Sequence, residues 1–274
     1  MKKRFLTVLF FVIFLGLYFL SLAQFTSEEI AERAKWEEFL KTAEIVGENQ
    51  IGGGDVEMAP WRLNLEKDGM KRGALWKNPE GTVAGHEESW KWEIAAYRLD
   101  KYLGLNMVPP TVEREFRWKR GSCQLWVTVE MDLRKKTREK IETPSDKVYS
   151  WNNAIYLTRA FDNLIANEDR HQGSILVTKD WRLILIDHSR SFGTSKKLTT
   201  ELIYSGENND SEIMRRLPRA FVEKLKGINS ELVGQVTGDY LTDKEIEAVL
   251  KRRDLILKEI AGLIEKHGED DVLY

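Results

Sequence analysis

Phe161-Asp162-Asn163-Leu164-Ile165-Ala166-Asn167-Glu168-Asp169-Arg170-His171 is followed, after a short interval, by Ile184-Leu185-Ile186-Asp187-His188-Ser189-Arg190-Ser191-Phe192. Upstream, Ala154, Ile155, Thr158, Phe161 and Ile165 recur at helical spacing, so a helix of about three turns runs into Asn167–His171. Ile175-Leu176-Val177 and Leu183-Ile184-Leu185 flank Lys179-Asp180 and read as a short hairpin that ends next to Asp187. The hairpin brings Asp169 and Asp187 close, although they stand 18 residues apart in the chain. One carboxylate can then orient a hydroxyl while the other holds a hard, oxygen-seeking cation such as Mg²⁺. Phosphoryl transfer needs that division of labour, because its catalysis is mostly positioning and neutralising phosphate charge.

Working back toward the N-terminus, Gly52-Gly53-Gly54 can bring backbone N–H groups close to phosphates. Lys77 closes a strand through Ala74-Leu75-Trp76 and can reach the same phosphates as a point charge. Glu93 lies on a helix predicted over 87–103, whose face Trp92, Ala95, Ala96, Leu99, Tyr102 and Leu103 is apolar and which Gly104 ends. Glu93 can pair with Lys77 and hold it. Each feature has a plainer reading when taken alone: a local ion pair, a turn, a solvated lysine, an exposed helix face. Their order carries the weight.

These stretches, within residues 51–192, resemble the atypical kinases: the phosphatidylinositol 3-/4-kinase group, the HipA-type kinases and the secretory-pathway kinases. Phe161–His171 and Ile184–Phe192 carry the likeness most specifically, with Ala95-Ala96-Tyr97-Arg98-Leu99 and Val108-Pro109-Pro110-Thr111 as a second match. The resemblance implies an α+β, bilobal kinase-like fold with a β-rich N-lobe and a mainly helical C-lobe. It implies Asp169 as catalytic aspartate, flanked by Arg170 and His171, Asp187 as metal aspartate, Lys77 as nucleotide lysine and Glu93 as its partner. An adenine-contacting hinge is implied near Gln124 to Val127, including Trp126. Where the pattern has a second metal ligand, an Asn five residues after the catalytic Asp, this chain has Ser174. The cofactors implied are ATP and Mg²⁺ or Mn²⁺. The activity implied is transfer of the γ-phosphate to a protein or lipid hydroxyl. A catalytically silent nucleotide-binding scaffold and an AMP transferase on the same fold stand as alternatives.

The remaining sequence agrees with one core divided between two lobes. The chain has 274 residues, 42% hydrophobic and 31% charged, and its 19 Gly and 6 Pro exclude low-complexity chains. A single cysteine, Cys123, rules out an internal disulfide or a multi-cysteine zinc site, and its apolar strand predicts an inert core residue. Three of the 42 basic residues, Lys2, Lys3 and Arg4, precede an 18-residue apolar stretch from Phe5 to Leu22. Residues 1–23 read as a secretory signal cut before Gln24, or as a retained membrane anchor. Both readings place the rest of the chain outside the cytoplasm, exported to a periplasmic, secreted or membrane-anchored location. The 39 bases against 44 acids that remain argue against nucleic acid as a partner.

Residues 24–130 are expected to form the N-lobe and 131–274 the C-lobe, divided in the polar 130–148 stretch containing Pro144. Thr26 to Val46 predicts one helix, opened by a Thr26/Glu29 capping box and stopped at Gly47. Val112–Phe116 and Cys123–Val129 predict two strands joined at Gly121, and Asp68-Gly69 a tight turn between two earlier strands. Residues 193–212 read as loop, followed by a helix near 219–226 and a long one from Thr242, capped by Glu245. The nine Trp are expected to serve packing. The basic run Arg134, Lys135, Lys136, Arg138 and Lys140 predicts a solvated loop or a contact with an anionic membrane or substrate.

Overall fold

In the computed structural model the described residues are 25–51, 59–83, 85–205 and 214–274. Residues 1–23 and Gly52–Gly54 therefore lie outside the described residues. Thr26 caps the first helix, α1 (Ser27–Ala31), through the expected box: Thr26 N donates to Glu29 Oε2 at 2.7 Å and Glu29 N to Thr26 Oγ1 at 3.3 Å. α2 (Arg33–Thr42) follows and ends four residues earlier than the helical pattern predicts. Glu44–Gln50 forms β1 instead, pairing antiparallel with β2 (Trp61–Lys67) across a register shift between Ile45 and Gly47. β-Branched Ile45 and Val46 favour that extended state, and Gly47 sits opposite Asn64 within the ladder rather than capping a helix.

β2 turns through Asp68-Gly69, both in the left-handed region, into β3 (Met70–Lys77). A separate two-stranded ribbon follows, β4 (Glu80–Val83) and β5 (His86–Ser89). The predicted helix thus starts three residues late: α3 (Trp90–Leu103) begins after Ser89, whose hydroxyl accepts from Lys91 N, and ends at Gly104 with φ 79°. β6 (Thr111–Phe116) and β7 (Lys119–Leu125) complete a five-stranded antiparallel sheet in the order β1-β2-β3-β7-β6. Their turn is Arg117-Trp118, at φ 52° and 63°, and not Gly121. Gly121 lies inside β7 for a steric reason: a Cβ there would stand 2.4 Å from the Lys77 carbonyl oxygen. Trp118, 95% exposed at this turn, and Trp126, 40% exposed, depart from the packing role expected of the tryptophans.

One sheet face buries Leu63, Leu65, Ala74, Trp76 and Cys123 against Phe39 and Leu40 of α2. Burial pushes the Cys123 thiol up to about 12, as an inert core cysteine requires. The opposite face carries Leu75 and Lys77, which pair with Gln124 and Ser122 of β7.

Past the connecting segment, β8 (Met131–Asp132) and α4 (Leu133–Arg138) lead to α5 (Val148–Ile165). β8 pairs with β9 (Ile175–Val177), which pairs with β10 (Leu183–Leu185). The expected hairpin is present, with a short 3₁₀ turn, Gln172–Ser174, before it. α6 (Lys196–Thr200) interrupts the predicted loop, and α7 (Arg219–Gly227), α8 (Ser230–Thr237), α9 (Asp243–His267) and α10 (Glu269–Val272) close the chain. A second core joins α3 to this layer through Leu99, Leu103, Phe161, Leu164, Leu185 and Val249. Buried Arg252 of α9 ties it together, donating to Leu164 O and Gly193 O, both at 2.8 Å.

Two glycines test the packing. Forcing an extra methyl into filled space costs about 1–3 kcal/mol, so Gly121→Ala is expected to destabilise by that amount. Gly262, inside α9, is the contrasting position, because a Cβ added there meets nothing within 4 Å. Gly262→Ala is expected to stabilise by about 0.5–1 kcal/mol, both effects being read from urea unfolding.

Candidate active site

α5 ends at Ala166, in the left-handed region at φ 52°, where Asn167 N donates back to Asp162 O at 2.9 Å. That cap turns the chain sharply into the Asn167–His171 loop. Asn167 is fully buried, and its Oδ1 accepts the Asp169 backbone N–H at 3.2 Å. Asp169 is thereby held at the loop's crest with its carboxylate partly exposed.

Arg170 turns the other way. Its side chain is 2% exposed, and the guanidinium forms a fork with Asp162 at 3.0–3.2 Å and donates to Ile186 O at 2.7 Å and Ser174 O at 3.2 Å. Expected beside Asp169 as a catalytic group, it instead clamps α5, the loop and the segment after β10. A buried fork to carboxylate is among the stronger polar contacts. His171 projects outward: its Nδ1 accepts from Gly173 N at 3.1 Å, and its Nε2 stands 4.0 Å from Asp187 Oδ2.

Two residues beyond β10, Asp187 adopts φ 66°. Left-handed backbone costs a residue with a Cβ roughly 1–2 kcal/mol, and the neighbours on each side oppose its relaxation. Ile186 N donates to Ser174 O at 3.1 Å, and His188 N donates to Glu93 Oε2 at 3.0 Å. The result presents the Asp187 carboxylate to Lys77.

Lys77 Nζ lies 2.8 Å from Glu93 Oε1 and 2.8 Å from Asp187 Oδ1. Three residues remote in sequence, on β3, α3 and the post-β10 segment, meet at one ammonium. Burial alone pulls the Lys77 pKa down, but the two carboxylates outweigh it and raise it above the ordinary lysine value. Burial likewise favours neutral Glu93, yet Lys77 and the His188 contact hold its carboxyl well below the usual range. Lys77 also lowers Asp187, against the opposing effect of burial. All three are charged at neutral pH.

Gln124 and Trp126 belong to β7 and the residues that follow it. Gln124 is buried inside β7 with its amide donating to Thr111 Oγ1 at 2.9 Å, so its side chain is spent within the sheet. Trp126 follows the strand, its N–H bonded to Gly73 O at 3.0 Å and its ring under Arg62 at 4.4 Å. A cavity of about 420 Å³ opens beside this segment, lined by Phe25, Trp36, Arg72, Trp126 and Lys179; none of Lys77, Glu93, Asp169 or Asp187 lines it.

Ser174, expected as a metal ligand, has its side chain facing the interior: the residue is 1% exposed, its Oγ donates to His171 O at 2.8 Å and accepts from Arg170 Nη1 at 3.3 Å. The hydroxyl belongs to the Arg170 clamp. Sequence reasoning also passed over Arg190, which reaches Asp169, and Glu88, which holds Arg190. Arg190 lies in the Ile184–Phe192 stretch without a sequence neighbour to suggest its role, and Glu88 falls in a segment that reads as helix.

No family model matches the chain. Protein Rv2133c of Mycobacterium tuberculosis is 28% identical over 211 residues, which span 67% of this chain and 72% of that protein. The solved structure of hydra Fam20 with sugar superposes with a TM-score of 0.63 at 16% identity, covering 89% of this chain and 92% of the other. The crystal structure of the golgi casein kinase gives 0.64 at 16% identity, covering 92% and 81%. The fold is kinase-like. The α+β class and its division into an antiparallel sheet and a helical layer agree with that likeness.

Two outcomes test the site's physics. The depressed carboxyls of Glu93 and Asp187 contribute stability that is present above about pH 5 and is lost as pH falls through their folded values. The difference in unfolding free energy between the native chain and Glu93→Gln is therefore expected to shrink between about pH 6 and pH 3; a constant difference would contradict the charged pairing. Ser174→Asn is expected to lower stability by about 1–3 kcal/mol without lowering the Mg²⁺ concentration for any nucleotide effect, as a melting series over Mg²⁺ will show.

Proposed function

We propose that the chain is an atypical kinase: an ATP-dependent phosphotransferase that moves the γ-phosphate of ATP to a hydroxyl of a protein or lipid. The observation that carries this reading is the Lys77 ammonium held between Glu93 and Asp187, with Asp169 on the adjacent loop. The kinase-like fold of the solved neighbours supports it. So does the sequence likeness of Phe161–His171 and Ile184–Phe192 to the phosphatidylinositol 3-/4-kinase-like and HipA-like groups.

Lys77 binds nucleotide phosphates as a preset charge, because Glu93 fixes its direction and offsets the cost of burying it. The Asp187 carboxylate oxygen suits a hard divalent ion. Among the described residues no three His, Cys, Asp or Glu side chains converge to hold a metal by themselves. Mg²⁺ commonly takes one or two carboxylates together with substrate phosphates, so Asp187 with ATP fits it, and Mn²⁺ equally. When bound, the ion supplies charge neutralisation at the phosphates. Asp169 orients the acceptor hydroxyl and receives its proton. Ser174 takes no part as ligand.

A Cβ on Gly173 would stand 2.2 Å from Arg134 Nη2, so Arg134 of α4 lies beside the loop that carries Asp169. Arg134, Lys135 and Arg138 there suit an anionic acceptor or an anionic membrane surface. The leader reading puts this chemistry outside the cytoplasm, and a golgi kinase among the fold neighbours accords with it. Among the described residues no helix is long and apolar enough to cross a membrane.

Binding to the native state alone adds roughly 2.7 kcal/mol at a hundredfold excess over Kd, so Mg²⁺-ATP is expected to raise the melting temperature measurably. Asp187→Ala should abolish most of that rise. Asp169→Ala should keep it and lose transfer. An undiminished rise in Asp187→Ala would remove the metal role, and full transfer in Asp169→Ala would move the catalytic role elsewhere.

A further inference from the structure

Asp169 has a fixed backbone but a partly exposed carboxylate, and the Arg190 side chain reaches it. Arg190 Nη1 lies 3.3 Å from Asp169 Oδ2. The other edge of the same guanidinium is occupied by Glu88 of β5: Arg190 Nε and Nη2 donate to Glu88 Oε1 at 2.8 and 2.7 Å. The second oxygen, Glu88 Oε2, accepts from Ser189 Oγ at 3.2 Å, and Ser89 N donates to Ser189 O at 2.9 Å. Glu88 is largely buried, at 12% side-chain exposure, on a two-stranded ribbon that joins neither larger sheet. These contacts fasten that ribbon to the segment after Asp187.

We propose that Glu88 and Arg190 are a positioning pair that aims the Asp169 carboxylate at the acceptor hydroxyl, so that the β4–β5 ribbon sets the geometry of the catalytic loop. The role assigned to Asp169 rests on the phosphotransferase reading above; the geometry of the pair does not. The planar guanidinium is suited to the task. With one edge locked by Glu88, the direction of Nη1 is determined, and Asp169 Oδ2 is tethered while Oδ1 is left for the acceptor. A lysine ammonium has no second edge to lock. The ribbon also runs directly into α3, where Glu93 grips Lys77 five residues after Glu88. One short stretch of chain therefore touches the partner of the nucleotide lysine and the partner of the acceptor carboxylate. Orientation of reacting groups is worth large rate factors even where binding is unchanged.

The test compares the full chain with Glu88→Gln, Arg190→Gln, Arg190→Lys and the Glu88→Gln/Arg190→Gln double variant. Steady-state transfer from ATP, Mg²⁺-ATP-induced melting shifts and amide hydrogen exchange at residues 167–171 are read for each. Each glutamine variant should lower kcat roughly ten- to hundredfold, the worth of a hydrogen bond to a charged group. KM for ATP and the nucleotide-induced shift should stay as in the native chain, which a merely structural strap would not ensure. The double variant should be no slower than the slower single, because the two residues act as a unit. Arg190→Lys should not recover the rate. Exchange at 167–171 should quicken in Arg190→Gln and Glu88→Gln alike. Multiplicative losses in the double variant, an unchanged kcat, or losses that track weakened nucleotide binding would overturn the proposal. A native chain that neither binds ATP nor transfers phosphate would instead sink the phosphotransferase reading. The exchange measurement then decides the positioning claim alone, and unchanged exchange in Glu88→Gln would end it.

Discussion

A lysine ammonium removed from bulk water is unfavourable unless carboxylates surround it, and the architecture converges on meeting that demand at Lys77. β3 supplies the cation, α3 supplies Glu93, and the segment after β10 supplies Asp187. Removing one member of a buried charged group leaves the others uncompensated, which typically costs more than the intact group contributes. The triad thus ties sheet to helical layer, and it does so with residues that remain charged, Asp187 staying partly open to solvent. Glu93 has a second task, since its other oxygen accepts His188 N and fixes the backbone beside Asp187.

A second clamp supports the first from below. Arg170 gathers Asp162 of α5, Ser174 of the 3₁₀ turn and the Ile186 carbonyl, so the loop that carries Asp169 and the segment that carries Asp187 cannot move independently. The left-handed backbone of Asp187 is the local cost of that arrangement. Arg252, from the far side, pins the end of α5 and Gly193 to α9. Rigidity at the base and exposure at Asp169 and His171 are what a positioning-based chemistry requires.

Much of this was readable in the chain. Helical spacing to Ile165, the hairpin around Lys179-Asp180 and the Lys77–Glu93 pairing rest on local periodicity and charge, and the structure brings those residues together. The misreadings share a cause in tertiary contacts. Glu44–Gln50 has helical neighbours, but the edge of β2 recruits it into the sheet. Gly121 looks like a turn glycine and serves instead to admit the Lys77 carbonyl and the Trp76 ring. The turn falls on Arg117-Trp118, whose residue types give no turn signal. Ser174 has the right sequence offset for a ligand, yet a buried arginine eight residues from its own carboxylate partner claims its hydroxyl. Glu88 and Arg190 stand 102 residues apart, and only the folded chain shows that they meet.

The claim that the Lys77–Glu93–Asp187 triad and Asp169 form a phosphotransfer site is tested most directly by phosphorus NMR. The native chain is incubated with ATP, Mg²⁺ and mixed protein and lipid acceptors, beside Asp169→Ala as the control. The account predicts that ADP and a new phosphomonoester resonance grow together in the native sample and stay absent in the variant. Pyrophosphate in place of ADP, or ATP left intact by a protein that binds it, would contradict it.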